Sequence, residues 1–221
     1  MRPEWFPERG IVIDLETTGL DTRTCEPIEI AVGLFSPEQA AASSWLAKAT
    51  SSLPREIVEA TGITDELLSR EAKEDQRSSI LRLNAFLLSE RAAGLPMVGH
   101  NYIRYDQPVL ASTFARHGVP LPPALQPGNA FDTAALYKGW RMTVEARWRK
   151  SWSDFPTHLD FARYVLGTPI KGLRYALGVV CEELKVDVSY LTAHRAKADI
   201  EMTLLVLKRL KETTCGTVAP R

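Results

Sequence analysis

Cysteine is scarce in this chain of 221 residues: Cys25, Cys181 and Cys215 are an odd number, far apart, with no C-x-x-C pair. That excludes a disulfide framework and argues against a structural zinc, and it fits a reducing compartment. An excess of either charge is also missing, since Lys+Arg and Asp+Glu number 27 each. A neutral chain has no overall field to draw it onto a polyanion, so any nucleic-acid binding must come from local patches. No apolar run approaches membrane-spanning length. The start carries Pro3, Glu4, Pro7 and Glu8 rather than a signal peptide, and the expectation is a soluble cytoplasmic protein. Internal repeats and low-complexity segments are absent. So is a Gly-rich phosphate loop, which excludes an ordinary nucleotide-binding α/β protein.

What remains is globular: 45% hydrophobic and 24% charged residues, in a length suited to one well-buried domain. Apolar runs predict strands at Gly10–Leu15 and Pro27–Phe35, and a weaker one at Ala42–Ala47, in an antiparallel meander. Two short helices are expected within Leu53–Ser69, with Pro54 starting the first and Thr64-Asp65-Glu66 opening the second. Ile80, Leu83 and Leu87, with Leu81 and Leu88 beside them, give the apolar face of a longer helix ending near Gly94. Short strands follow at Pro96–Gly99 and Asn129–Asp132, separated by a helix over Tyr105–His117 and a proline-rich loop from Val119 to Pro127. Helices are then expected over Thr133–Arg141, Leu159–Leu166, Leu173–Leu184 and Ala196–Thr213. The class is α/β, a mixed sheet with helices on its faces. One domain should span 1–213, with a helical, basic and aromatic insertion at about 141–171 and a flexible tail at 214–221.

The chemistry concentrates in carboxylates from three separate segments. Asp14 and Glu16 lie two apart on the first strand, so both side chains leave one face while Leu15 enters the core. Asp106 falls in the first turn of a helix, directly downstream of His100 and Asn101. Asp199 borders the apolar stripe of Ile200, Leu204 and Leu207, and His194 precedes it by five residues, in the loop before that helix. Such a cluster repels itself unless hard divalent cations hold it together, and with Mg²⁺ or Mn²⁺ it becomes a phosphodiester-cleaving centre. Plainer readings stand beside this one. Asp14 and Glu16 could be a solvent-facing pair, Asp106 could be an acid placed by the helix dipole, and His194 could be an exposed loop histidine.

Asp14-Leu15-Glu16-Thr17-Thr18-Gly19-Leu20, His100-Asn101 with Asp106, and His194-x-Ala196-x-x-Asp199 resemble, in order, the three motifs of the DEDDh 3′→5′ exonucleases. Thr61-Gly62-Ile63-Thr64 and Phe131-Asp132-Thr133 are lesser matches between them. The resemblance runs from about Gly10 to Leu210 and implies a ribonuclease-H-like five-stranded sheet, an antiparallel meander followed by parallel strands. It further implies two-metal hydrolysis, with Mg²⁺ or Mn²⁺ on Asp14, Glu16, Asp106 and Asp199 and with His194 as general base. Glu16 would also contact the terminal 3′-hydroxyl. Thr17, Thr18 and Gly19 would seat the last nucleotide, Leu20 and Ile63 would pack on terminal bases, and His100 and Asn101 would complete substrate binding. The implied substrates are 3′ ends of single-stranded DNA or RNA, with DNA preferred and 5′-mononucleotides released. A polymerase or another replication or repair protein is the implied partner. The alternatives are an exoribonuclease and a non-catalytic binding module on the same fold.

Two features depart from the family pattern. Thr61 stands where some relatives carry an aromatic or histidine side chain. Arg141, Arg147, Trp148, Arg149, Lys150 and Trp152 interleave cations and rings in a way that suits single strands. Tryptophans packed inward on a helix edge, or a partner-docking surface, would give the same pattern.

Overall fold

Ile11-Val12-Ile13 is apolar at both parities of a strand, and only a strand covered on both faces can bury such a run. The computed structural model describes residues 6–145, 150, 152–191 and 194–214. In it β1 (Gly10–Thr17) lies near the middle of a five-stranded sheet, with β2 (Pro27–Phe35) antiparallel to it on one side and β3 (Ala40–Leu46) antiparallel to β2 in turn. On the other side β4 (Met97–Gly99) and β5 (Ala130–Asp132) run parallel to it, giving the order β3-β2-β1-β4-β5. This is the mixed sheet of the ribonuclease-H-like fold, an antiparallel meander followed by parallel strands.

Side-chain alternation divides the core between the two faces. Ile11, Ile13 and Leu15 pack with Ile30 and Val32 against α3 (Gln76–Leu87) and α4 (Asp106–Arg116). Val12 and Ala31 point the other way, onto Ala196 and Ile200 of α8 (Ala196–Thr214). Beside them Val98 and Phe131 meet α5 (Thr133–Val144), α6 (His158–Gly167), α7 (Leu177–Glu183) and the rest of α8. Two short helices, α1 (Arg55–Thr61) and α2 (Asp65–Glu71), close a smaller cluster with Ile28. Side-chain caps start several helices: Thr64 accepts from the Leu67 amide at 3.1 Å, and Asp75 from Ser78 at 2.7 Å. Among the described residues, no helix is long and apolar enough to cross a membrane.

Several boundaries differ from the sequence reading. α3 stops at Leu87 rather than near Gly94, because Ser89 turns back and its hydroxyl donates to the Phe86 carbonyl at 2.7 Å. Its buried face is Ile80, Leu83 and Leu87, while Leu81 and Leu88 are exposed. α7 begins at Leu177, four residues later than expected, since Gly172 takes φ 77 and Ala176 is extended. The Tyr175 carbonyl in that stretch serves His100 instead of a helix. α8 runs through Thr214, one residue past its expected end, and residues 215–221 lie outside those described.

Candidate active site

Because Val12 faces α8, Asp14 and Glu16 continue along the same face to where that helix begins. A register shift between Glu16 and Thr17 then precedes the last pair of the ladder with β2, Thr17 with Pro27. Asp199 sits in the first turn of α8, one residue before Ile200, which anchors the helix to Val12. Asp14, Glu16 and Asp199 thereby converge, each offering one carboxylate oxygen within 4.8 Å of those of the other two. All three are half-buried.

Such a cluster is electrostatically unhappy by itself. Burial, then the charges of Asp106, Asp199, Glu16 and Glu29, hold the Asp14 carboxyl well above its ordinary value. Burial, followed by Asp199 and Glu29, pushes Glu16 up to about 8, and Arg195 pulls the other way. Asp199 is raised by burial, with His194 opposing. A divalent cation supplies what these groups lack, and carboxylate oxygens suit a hard one.

Asp106 is buried at the start of α4, outside the group of three. It is the strongest charge acting on Asp14, and burial lifts its own pKa to about 8. The loop that delivers it depends on Gly99, where a Cβ would lie 2.8 Å from Tyr102 and 3.1 Å from the Ile13 carbonyl. Asp132, at the end of β5, holds the loop in place. Its carboxylate accepts from the amides of Asn101 (3.1 Å) and Ile103 (3.0 Å), and caps α5 through Ala134 (2.9 Å) and Ala135 (3.1 Å). Tyr105 ties this loop to the β1–β2 loop, donating to the Gly19 carbonyl at 2.6 Å and bonding the Thr17 hydroxyl.

His194 is exposed in the bend immediately before α8, with φ 60 and its amide donating to Asp199 at 3.3 Å. The next residue, Arg195, makes a two-pronged pair with the buried Glu29 (3.0 and 3.2 Å), which also accepts from the Ala196 amide at 3.2 Å. Glu29 lies directly across the ladder from Glu16, a like-charge neighbour that Arg195 neutralises. Sequence reading missed this pair. Its signal was present: Glu29 is the single charge in the buried run Pro27–Val32, and such a charge requires a partner.

The other sequence-derived candidates divide. Thr17, Thr18 and Gly19 form a closed loop: the Thr17 hydroxyl donates to the Gly19 carbonyl at 2.8 Å, and the Thr18 hydroxyl accepts from the Glu26 amide at 3.0 Å. Leu20 stands at its tip, 84% exposed. Ile63, by contrast, is wholly buried with Ile28, Leu53 and Leu68, so it offers no surface to a base. His100 is buried as well. Its ring nitrogens are taken by the Thr133 hydroxyl at 2.9 Å and the Tyr175 carbonyl at 2.7 Å, which leaves none for a nucleotide. Burial lowers its pKa to about 4. Asn101 takes φ 59 beside it.

Arg147, Trp148 and Arg149 lie outside the described residues. Trp152 packs inward, stacked on Phe161 with centroids 4.6 Å apart, and Lys150 lies over Phe155 and Tyr164 at 5.4 and 4.9 Å. For Trp152 the helix-core alternative therefore holds.

A family model described as an exonuclease, RNase_T, matches residues 11–207. The PolC-type DNA polymerase III of Mycoplasma genitalium is 26% identical over 213 residues, covering 94% of this chain and 12% of that protein. Its counterpart in Mycoplasma pneumoniae is 27% identical over 203 residues, covering 91% and 11%. Among solved structures, E. coli exonuclease I in complex with a dA16 oligonucleotide superposes with a TM-score of 0.67 at 18% identity, covering 93% of this chain and 41% of that one. This last likeness establishes the fold. The chain spans a small part of either polymerase and under half of exonuclease I.

Proposed function

This chain belongs to the RNase_T exonuclease family, with the DEDDh residue set, and on that premise we propose that it hydrolyses single strands from the 3′ end, releasing 5′-mononucleotides, with DNA preferred. The convergence of Asp14, Glu16 and Asp199 within 4.8 Å, with Asp106 beside them, carries the reading. DNA is favoured because the solved neighbour binds a dA16 oligonucleotide and the sequence relatives are DNA polymerases. A polymerase is the partner that those relatives suggest.

Asp14, Glu16 and Asp199 would hold two divalent cations, Mg²⁺ or Mn²⁺, with Asp106 completing the set. Bound there, the cations would offset the four negative charges and polarise the scissile phosphate. His194 stands in solvent next to Asp199, free to accept a proton on its unprotonated ring nitrogen as water attacks phosphorus and the P–O3′ bond breaks. Glu16, at the end of β1, would take the terminal 3′-hydroxyl, and the stiff Thr17–Gly19 loop would seat the last sugar, with Leu20 against its base. An end-binding site of that kind restricts cleavage to termini.

The test is digestion of 5′- and 3′-labelled strands of DNA and RNA with Mg²⁺, Mn²⁺ or EDTA. The 5′ label should shorten stepwise, the 3′ label should appear at once as a mononucleotide, and EDTA should stop both. Faster loss of RNA would instead identify an exoribonuclease, and binding without cleavage in either metal would identify a non-catalytic module.

A further inference from the structure

A second cluster of charge, opposite in sign, lies behind the β4–α4 loop. A cavity of about 410 Å³ is lined by Arg104, Lys138, Leu166, Gly167, Pro169, Ile170, Leu173 and Tyr175, with no carboxylate among them. Lys138, on α5, is only 5% exposed. Among the described residues its ammonium has one acceptor, the Leu166 carbonyl at 3.3 Å, although it carries three donors. The Arg104 guanidinium uses the same carbonyl at 2.5 Å and reaches the Tyr175 hydroxyl at 3.4 Å. Neither cation has an ion-pair partner among the described residues. Burial, and then the charge of Arg104, lowers the Lys138 pKa, so the two disfavour each other as they stand.

The Leu166 carbonyl belongs to the last turn of α6, where a cation is favoured by the helix dipole. That accounts for one cation and not for two, since the end of α6 is already closed by the Thr168 amide on Tyr164 and Val165. A pair of converging donors on a carboxylate-free cavity is instead the arrangement that holds a phosphate. From Phe161 to Cys181, the segment that supplies most of the lining, the chain also carries Arg163, Lys171 and Arg174 and no acid, so that segment is basic within a neutral protein. The cavity adjoins the acidic centre through one loop. Arg104 lies two residues before Asp106, and the Tyr175 carbonyl bonds His100 of that same loop.

We propose that Arg104 and Lys138 bind a backbone phosphate of the substrate strand, upstream of the 3′-terminal nucleotide, and so hold the strand as it enters the acidic centre. The proposal rests on the exonuclease reading above and assigns a position along its substrate. A neutral chain gains in this way the local attraction that its net charge does not provide.

Binding of a fluorescent oligo-dT strand, followed by anisotropy in Ca²⁺ over a salt series, tests it with Arg104→Gln, Lys138→Met and the double variant. The double variant should weaken binding about tenfold or more. It should flatten the slope of log K against log salt by roughly 0.7, the loss of one phosphate contact. The rise in KM should be larger for the long strand than for a dinucleotide. Arg104→Gln, at an exposed side chain, keeps the test open if Lys138→Met folds poorly. An unchanged salt slope would overturn the proposal. So would equal losses on long strand and dinucleotide accompanied by a lower Tm, the signature of a helix cap alone. Should wild-type protein cut no strand in any metal, the catalytic reading fails, and the binding slopes still decide the cavity.

Discussion

The acidic centre and the basic cavity are two solutions to gathering like charges in a folded chain. The acidic centre collects Asp14, Glu16, Asp106 and Asp199 and leaves their repulsion largely standing, with Arg195 committed to Glu29. The basic cavity collects only Arg104 and Lys138 and gives them one shared carbonyl. Both are incomplete as protein. The difference lies in what completes them: hard cations in one, a phosphate in the other, and the strand that we propose as substrate touches both. Both are hidden in a whole-chain balance of 27 acids and 27 bases, so net charge conceals both sites.

The sharpest way to break the comparison is to remove an acidic member. Asp14→Asn or Asp199→Asn should lower hydrolysis by at least about a thousandfold, because a neutral amide holds a hard cation poorly. Circular dichroism should show an intact fold, and wild-type-like turnover at saturating Mn²⁺ would sink the two-metal assignment. His194→Ala comes next. It should lower the maximal rate by roughly 10²–10⁴-fold while metal affinity, measured by calorimetry, is retained. A variant that also keeps the acidic limb of its pH–rate profile would return His194 to an ordinary loop residue.

Glu29 and Arg195 sharpen the comparison, since Glu29 is a buried acid of that face already neutralised by a protein cation. Arg195→Met leaves Glu29 alone under the ladder and should destabilise the fold by about 2 kcal/mol, less than a fully buried pair because Arg195 is partly exposed. It should also loosen the start of α8 and weaken metal binding roughly tenfold. Adding Glu29→Gln should restore stability, and a double-mutant cycle by chemical denaturation reads the coupling.

A subtler effect concerns pH without metal. Glu16 titrates near 8 when folded and near ~4 when unfolded. A raised folded pKa stabilises the protein at low pH, and that contribution is lost as pH climbs through the folded value. In EDTA, Glu16→Gln should therefore gain thermal stability relative to wild type, little near pH ~4 and most above about 8. Saturating Mg²⁺ should erase or reverse the gain. A constant difference across that range would mean that Glu16 is not held in its acid form. The smallest effect expected is at Trp152. Because its ring stacks on Phe161, Trp152→Ala should lower Tm and reduce activity on long strands and dinucleotides in equal proportion.

Strand patterns were easy to read where burial forced them. Pro27–Phe35 is a strand with the expected limits because a run apolar on both faces, Glu29 apart, admits little else. The clustered acids were legible for a related reason: a carboxylate at the end of a buried strand, or beside a helix's apolar stripe, is costly without a purpose. Positions set by long-range hydrogen bonds were not legible. The late start of α7 depends on a carbonyl given to His100, 75 residues away in sequence. Ile63 looked available for a base because local sequence does not report the cluster that α1 and α2 close over Ile28. Arg104 and Lys138 are 34 positions apart and share no motif, so only folding brings them to one cavity.

Asp132 takes no part in the chemistry proposed here, yet four backbone amides converge on it, from Asn101, Ile103, Ala134 and Ala135. Its consequence is dynamic. The β4–α4 loop cannot lift away without releasing the first two of those amides at once, and any release exposes a buried carboxylate. Their protons should therefore exchange with deuterated solvent at a common rate, through one shared opening. That opening would displace Asp106 and Arg104 together, so the two charged regions should breathe as a single unit and never separately.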